Sequence, residues 1–489
     1  MSVSAARIRN PGIFVWAAAL SGAAASGVLA AYQTELGVAA AVALIAVPMS
    51  ILYPKLVVHV LLVATFANTL TLGGVTVGRL VAPLALLALV TSVARSPVDT
   101  RWSRGTLVSV FCYATIAVSS LLWTQSTPGT VEEAGALALS LLYAGAFAVL
   151  LREPRDLRAL LWVFAVCSIF LSLLWISRYL SGVDRRFNDA GDPNFFAALQ
   201  VVSLPLVMVL AAGAKTRLGR VALYLGVGVI AASVVSTLSR GGLLTLLVAT
   251  LLITLLPTRQ LFRSRAQKRN VFIAAIVGLS LLLTFAWEDV AHRFEVGFSQ
   301  EHVAGGRGDL WLAAWHAYED HPVTGIGYGA FSDQSFQWLR QTPGVNLEEH
   351  LRFLNSGEYV HNAFLGSLAE LGPLGLASFL AVLLFAARAL RATGRRGREE
   401  GRPRPDSRIE EGRPRPDSPI DGGNELVTAV ANAAFVSLLA FCVSSIFLST
   451  ETSRSLWLLV GLSVALPSIQ QRGLLESQHR GEMGRRTRP

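Results

Sequence analysis

Apolar runs of about 20 residues recur from one end of this chain to the other, the length an α-helix needs to cross the hydrocarbon core of a bilayer. A chain built this way is confined to an all-α, polytopic membrane fold, because backbone polar groups in lipid must be satisfied within each segment. The charged fraction agrees: 15% of the 489 residues, against roughly 25% in soluble domains. The apolar runs predict fourteen spans, at about 12–32, 36–53, 56–73, 77–94, 105–124, 133–151, 157–178, 194–213, 220–237, 241–257, 270–287, 362–389, 425–448 and 453–469. The first two are alanine-rich and also fit a single hairpin, and the segment from Ala197 also fits a re-entrant piece.

The basic residues set an orientation. With Arg7 and Arg9 in the cytoplasm, Lys55, the arginines at 95–104 and 152–158, the Lys215–Arg220 group, the 259–269 cluster, Arg388 to Arg415 and the tail Arg472 through Arg488 fall on the same side. That is the positive-inside pattern, and it favours an even span number with both termini cytoplasmic. The formal charge of +10 therefore reads as orientation, and no nucleic-acid partner is expected. Cys112, Cys167 and Cys442 lie in apolar runs without metal-ligand spacing and read as small buried hydrophobes.

Five regions follow: N-terminal helices over 1–184, a core over 185–389, a linker over 390–424, a hairpin over 425–470 and a basic cytoplasmic tail over 471–489. The linker holds an eleven-residue repeat, Glu399–Ile409 and Glu410–Ile420, differing only at Arg408 and Pro419. Its proline, glycine and charge predict a disordered cytoplasmic segment. The core contains the only long polar stretch, 288–360, with eleven acidic residues against four arginines. Within it, Asp309 to Tyr318 segregates Leu310, Ala313 and Ala314 from a stripe of Trp311, Trp315 and Tyr318. This predicts an amphipathic helix at the outer membrane surface, ended by Asp320-His321-Pro322 and followed by a flexible turn at Gly325, Gly327 and Gly329. Asp320-His321-Pro322 reads as a structural turn before a catalytic dyad.

Four polar sets fall on one face of the membrane. They are Arg185, Arg186, Asn188, Asp192 and Asn194; Ser239-Arg240-Gly241-Gly242; Arg307 with Asp309; and His361-Asn362. Arg240 stands on the side that the orientation rule leaves free of cations. Polar side chains at the edge of a membrane span mark a functional site. Guanidinium forks match phosphate oxygens with several charge-assisted bonds, so separated arginines suggest an anion such as a diphosphate. Glycines beside Arg240 permit close backbone approach. His361 is the candidate to take a proton from an acceptor hydroxyl, because imidazole titrates near neutrality; a hydrogen bond to the phosphate is the other role open to it. Each feature has a plainer reading. Arg240 can anchor a helix end by snorkelling, Arg185 and Arg186 can be loop residues, Arg307 can pair with Asp309, and His361 can be an interfacial packing residue. Six of eight histidines lie in 288–361, but none has zinc-ligand spacing.

The motifs resemble the O-antigen ligase and polymerase superfamily of bacterial membrane proteins. His361-Asn362, nine residues, Gly372, two residues, Gly375 is similar to its histidine motif. Arg307 and Trp311 ahead of His321-Pro322-Val323-Thr324-Gly325-Ile326-Gly327, the Asp-Pro-Asn at 192–194 and Ser-Arg-Gly-Gly at 239–242 fit as well. The resemblance is strongest over 185–389. It implies a glycosyltransferase, independent of metal or cofactor, at the outer face of the inner membrane. The donor would be a glycan on undecaprenyl diphosphate, and the acceptor a sugar hydroxyl on a glycan or lipid-linked saccharide. By the same resemblance Arg240 and Arg307, with Arg186 and Arg185, would hold the diphosphate and His361 would serve the chemistry. Asn362, Asp192, Asn194, Ser239, Asp309, His321, Gly372 and Gly375 would support them. A transporter of a solute or lipid-linked saccharide is the competing class. It would be expected to carry broken helices in related halves, and the sequence shows no such internal repeat.

Overall fold

The structure, a computed structural model, describes residues 45–67, 71–72, 75–95, 103–182, 192–256, 261–262, 265–285, 307–351, 354, 357–400 and 422–486. The first expected span, half of the second, Arg185, Arg186, Asn188 and the repeat from 401 to 420 lie outside these residues. Each of the other twelve expected spans is met by a helix. Nine helices are long and apolar enough to cross a membrane among the described residues. The bent pair Ile45–Leu52 and Pro54–Phe66, turning through 119°, adds a tenth if counted as one span. The protein is an all-α, polytopic membrane protein, with one two-rung β-ladder pairing Thr71 with Thr76 and Leu72 with Val75.

Local sequence sets the helix starts. Proline opens the first turn of Pro54–Phe66, Thr127–Leu150, Pro154–Leu180 and Pro193–Gly213, where its missing N–H costs nothing. Ser126, Asp192, Thr216 and Ser239 cap helices through their side-chain oxygens. Two helices form the centre. Pro193–Gly213 is buried along nearly its whole length, as is Gly423–Ser444, and they pack on each other. The Ala197 segment is thus a continuous helix at the heart of the bundle. Around it, outer helices expose large apolar side chains, among them Phe111, Val166, Phe170, Leu225 and Leu255. Such a surface is stable against hydrocarbon and aggregating in water.

Antiparallel packing gives the bundle two chemically different ends. At one end Lys55 pairs with Glu153 at 3.1 Å, Arg95 donates to the Ile51 carbonyl at 2.8 Å and Arg152 to the Ser92 carbonyl at 3.2 Å. The other end gathers residues 124–130, 192–194, 236–240, 307–351, 357–361 and 445–454. There the polar region folds as a unit. Helix Arg307–Asp320 buries Leu310, Ala313, Ala314 and Ala317 against helix Ala330–Gln341 and the start of Ala363–Glu400. The amphipathic helix forms as its pattern predicts, but its apolar face meets protein.

One expectation is corrected here. The glycine turn is a fixed contact, not a flexible one. Gly325, Gly327 and Gly329 have positive φ, and a Cβ on each would meet Glu370 backbone, Thr124 and Glu133 within 2.6 Å. Ile326 and Gly327 donate backbone N–H groups to the Ala369 and Glu370 carbonyls at 3.0 and 2.9 Å. The expected span over 362–389 is met by the apolar helix Ala363–Arg396, which is kinked at Gly372. Gly372 takes φ 67°, ψ −170°, ending one helix at Leu371 before Pro373 begins the next. The helix that meets the expected span 241–257, Arg240–Leu255, has 16 residues, about 24 Å against a core of about 30 Å.

Candidate active site

The site grows from helix ends. Asp192 caps Pro193–Gly213, its carboxylate accepting from Asn194 N at 2.6 Å and Asn194 Nδ2 at 2.8 Å. Asn194 Oδ1 accepts from Ser239 Oγ at 2.7 Å. Ser239 in turn accepts from Gly242 N at 2.9 Å and caps the helix that Arg240 opens. This chain of polar contacts ties Asp192 to Arg240. Gly242 is required by packing, since a Cβ there would lie 2.6 Å from Ala197 Cβ. Ser239→Ala removes both a cap and the link to Asn194. It is expected to cost about 1–2 kcal/mol, read as a lower thermal midpoint in detergent, with Thr216→Ala as a cap of no consequence for the site.

Two non-glycine residues have positive φ among the described residues: Leu238 at 52° and His361 at 55°. One stands two positions before Arg240 and the other is His361 itself, Arg240 and His361 being the two candidate functional positions. Each such backbone costs on the order of 1–3 kcal/mol and persists only where surroundings fix it. For His361 the fixing contacts are its N–H to Ser449 Oγ at 3.1 Å and the following Ala363 N–H to the Ser445 and Leu448 carbonyls at 2.8 and 3.0 Å. Asn362 Oδ1 accepts from Phe364 N and Leu365 N, both at 3.0 Å, capping the next helix. His361 Nδ1 is buried and has no hydrogen-bond partner among the described residues.

Electrostatics bring the sets together. Burial holds the His361 imidazole below its usual pKa, helped by the positive Arg307 and opposed by Asp192 and Glu358. Burial also works against the charge of Arg307, which Asp192 supports and Arg240 opposes. Thus Arg240, Arg307, Asp192 and His361 share one locality although they span 170 positions of sequence, 192 to 361. Among the described residues neither guanidinium forms an ion pair. Two cations held near one another without paired carboxylates form a place for an anion. An adjoining cavity of about 820 Å³ is lined by His361, Asp192, Ser449, Glu451, Tyr359 and Arg454, among others.

Several expected supporting residues stand elsewhere. Asp309 does not pair with Arg307. It is buried, accepts from Asn346 N at 3.1 Å, and lies 3.5 Å from His350 Nε2 at ion-pair distance without hydrogen-bond geometry. His350 Nδ1 contacts Glu358. The Glu358 contact raises the His350 pKa against the cost of burial, and Asp309 adds to the rise. A raised folded-state pKa means that the protonated histidine pins this loop below the unfolded value of about 6.5. The pin is lost as pH climbs through the raised value. Amide exchange over 346–361 is expected to quicken with pH beyond its intrinsic base dependence, and His350→Gln to remove that excess. His321 caps the end of Arg307–Asp320, with Nε2 2.7 Å from Gln125 Nε2 and its ring edge-on to Trp338. It is a turn residue. Gly372 and Gly375 shape the helix break, Gly375 lying against Leu371. Among the described residues no three His, Cys, Asp or Glu side chains are grouped to hold a metal ion.

Sequence reasoning passed over the segment 449–454, Ser-Thr-Glu-Thr-Ser-Arg, which supports His361 and lines the cavity. Its signal was present. By the same orientation rule that singled out Arg240, Arg79, Arg178 and Arg454 are also arginines on the side meant to lack them.

Residues 224–380 match the family model described as O-antigen ligase. The match covers Arg240, Arg307, His361, Gly372 and Gly375, and begins after Asp192 and Asn194. No curated protein matches the chain.

Proposed function

We propose that this chain, a member of the O-antigen ligase superfamily and thus a membrane glycan-transfer enzyme acting on lipid-linked glycans, joins a glycan from undecaprenyl diphosphate to a sugar hydroxyl at the outer face of the cytoplasmic membrane. The observation that carries the reading is the approach of Arg307, with Arg240 beside it and both free of ion pairs among the described residues, to a half-buried His361. Arg240 and Arg307 hold the diphosphate, with Arg185 and Arg186 as further candidates from the sequence. The acceptor oxygen attacks the anomeric carbon, the bond from that carbon to the phosphate oxygen breaks, and undecaprenyl diphosphate leaves. The acceptor proton passes to His361. An imidazole whose pKa is held down is neutral at physiological pH and ready to accept it. The arginines stabilise negative charge as it develops on the leaving oxygen, and Asp192 supports the imidazolium once formed.

The outward orientation rests on the positive-inside pattern, with fourteen spans and both termini in the cytoplasm. The test is transfer by purified protein in liposomes. Undecaprenyl-diphosphate-linked repeat units are supplied alone, then with a separate acceptor such as lipid A–core, with a chelator control. A ladder from repeat units alone identifies a polymerase, and product only with the separate acceptor identifies a ligase. Loss of activity on chelation overturns metal independence. Solute flux without transfer from any donor overturns the reading in favour of transport. Arg240→Gln is expected to lower kcat by roughly 10²–10³-fold, the effect of removing one donor to a developing anion.

A further inference from the structure

The cavity beside His361 carries three arginines that the reaction above leaves unused. Arg79 lies in the first turn of Val77–Arg95, Arg178 in the last turn of Pro154–Leu180, and Arg454 opens Arg454–Arg486. All three line the cavity, as do His361 and Asp192, whereas Arg240 and Arg307 are not on its wall. A base that deprotonates an acceptor must touch the acceptor. The space that contains His361 but not the donor arginines is therefore the acceptor's side.

Among the described residues Arg454 is held by neutral groups. Its Nη1 donates to the Ala64 carbonyl at 3.3 Å, and its guanidinium lies over the Tyr143 ring with 5.4 Å to the centroid. Gly78 leaves the room it occupies, since a Cβ there would sit 2.4 Å from Nη1. Arg79 is near enough for the two charges to repel. Among the described residues no carboxylate stands within ion-pair distance of Arg79, Arg178 or Arg454. Four acids share the wall: Asp192 is committed to Asn194, Glu370 to the N–H groups of Gly329 and Phe331 at 2.9 and 3.3 Å, and Glu133 and Glu451 form no ion pair with these arginines among the described residues. Like charges brought together without counter-ions call for an anion. The wall beside them is apolar and open to the lipid side: Val63, Phe170 and Leu174 line it and are exposed. A ligand that meets both surfaces is an anion with a hydrocarbon chain.

We propose that Arg79, Arg178 and Arg454 form a second anion subsite, which binds the phosphate of a lipid-borne acceptor while its sugar reaches His361. This rests on the glycan-transfer reading and makes the acceptor, like the donor, an amphiphile with a phosphate. A bilayer phospholipid headgroup carries the same chemistry and is the rival source.

The full-length protein in zwitterionic nanodiscs tests it. The acceptor is a repeat unit joined to its polyprenyl carrier through a non-cleavable phosphonate, so that it accepts without donating. Arg79→Gln is expected to raise the acceptor KM roughly tenfold, the loss of one charge-assisted contact, with a smaller effect on the donor KM. Arg454→Lys, which keeps the charge but not the fork, should move the acceptor KM in the same direction. With the same sugar on a neutral lipid, the Arg79→Gln effect should vanish. A rise in donor KM instead, or no change in either, overturns the proposal. A second arm needs no catalysis: farnesyl phosphate, but not farnesol, should raise the thermal midpoint, less so in Arg79→Gln and undiminished in Arg307→Gln. If no donor supports transfer, the glycan-transfer reading fails and this arm still decides the subsite. Stabilisation by phosphatidic acid in place of farnesyl phosphate, with acceptor KM unmoved by Arg79→Gln, assigns the arginines to bilayer lipid and also overturns it.

Discussion

Replacing His361 with asparagine is expected to lower glycan transfer by roughly 10²–10⁴-fold, the usual contribution of a positioned general base. Asparagine is the informative substitute because it tolerates the left-handed backbone that His361 adopts at φ 55°. Alanine there would add strain to the loss of the base. Folding, read by thermal midpoint, should change little, so the loss belongs to chemistry. The pH profile adds a test that a packing role would not meet. Burial and Arg307 hold the imidazole pKa down, so the acid limb of kcat/KM should fall below the ordinary histidine value of about 6.5. Removing the charge in Arg307→Gln favours the imidazolium and should move that limb to higher pH. Wild-type rates in the asparagine variant would remove His361 from the reaction. An unmoved limb in Arg307→Gln, with activity reduced, would make Arg307 a phosphate ligand that does not tune the base.

Gly372→Ala is expected to have a large structural effect for a single methyl addition. Its φ of 67° with ψ −170° is a region nearly closed to side chains, at a cost of about 1–3 kcal/mol. A Cβ would also lie 2.3 Å from the Val323 carbonyl oxygen, backbone that cannot swing away. The break at Gly372 turns one expected span into a short helix carrying His361 at its head and Glu370 at its foot, and a long helix beyond. Forcing the two into line would pull Glu370 from the N–H groups of Gly329 and Phe331 and displace His361 from Ser449. Loss of transfer with a lower thermal midpoint is the expected result. Gly228→Ala is the comparison, since a Cβ there meets nothing within 4 Å. Inside a helix that change should be neutral or stabilising by up to about 1 kcal/mol. Equal midpoints in the two variants would mean that the break is not demanded by Gly372.

Much of the candidate site could be proposed from the sequence because one physical rule points to it. Cations are sorted to one side of a membrane protein, so Arg240 stood out by its place, and Arg307 and His361 by their polar loop. The helices were legible for a similar reason: lipid leaves the backbone no other choice. What could not be read was the pairing of side chains far apart in sequence. Asp309 belongs with His350 and not with its neighbour Arg307, and Glu370 caps a helix some forty positions before it.

The sequence by itself determined a helical membrane protein, the approximate place of its spans, and the polar residues that gather at one end. Hydrophobic length and charge sorting act on each segment alone, so they are written locally. Tertiary structure decided which of those residues meet. It set Ser449 beneath His361, fixed the glycine turn against Glu370, and placed Arg79 and Arg454 side by side from opposite ends of the chain. Those contacts depend on how helices pack and where one of them breaks, and packing is a property of all the helices together.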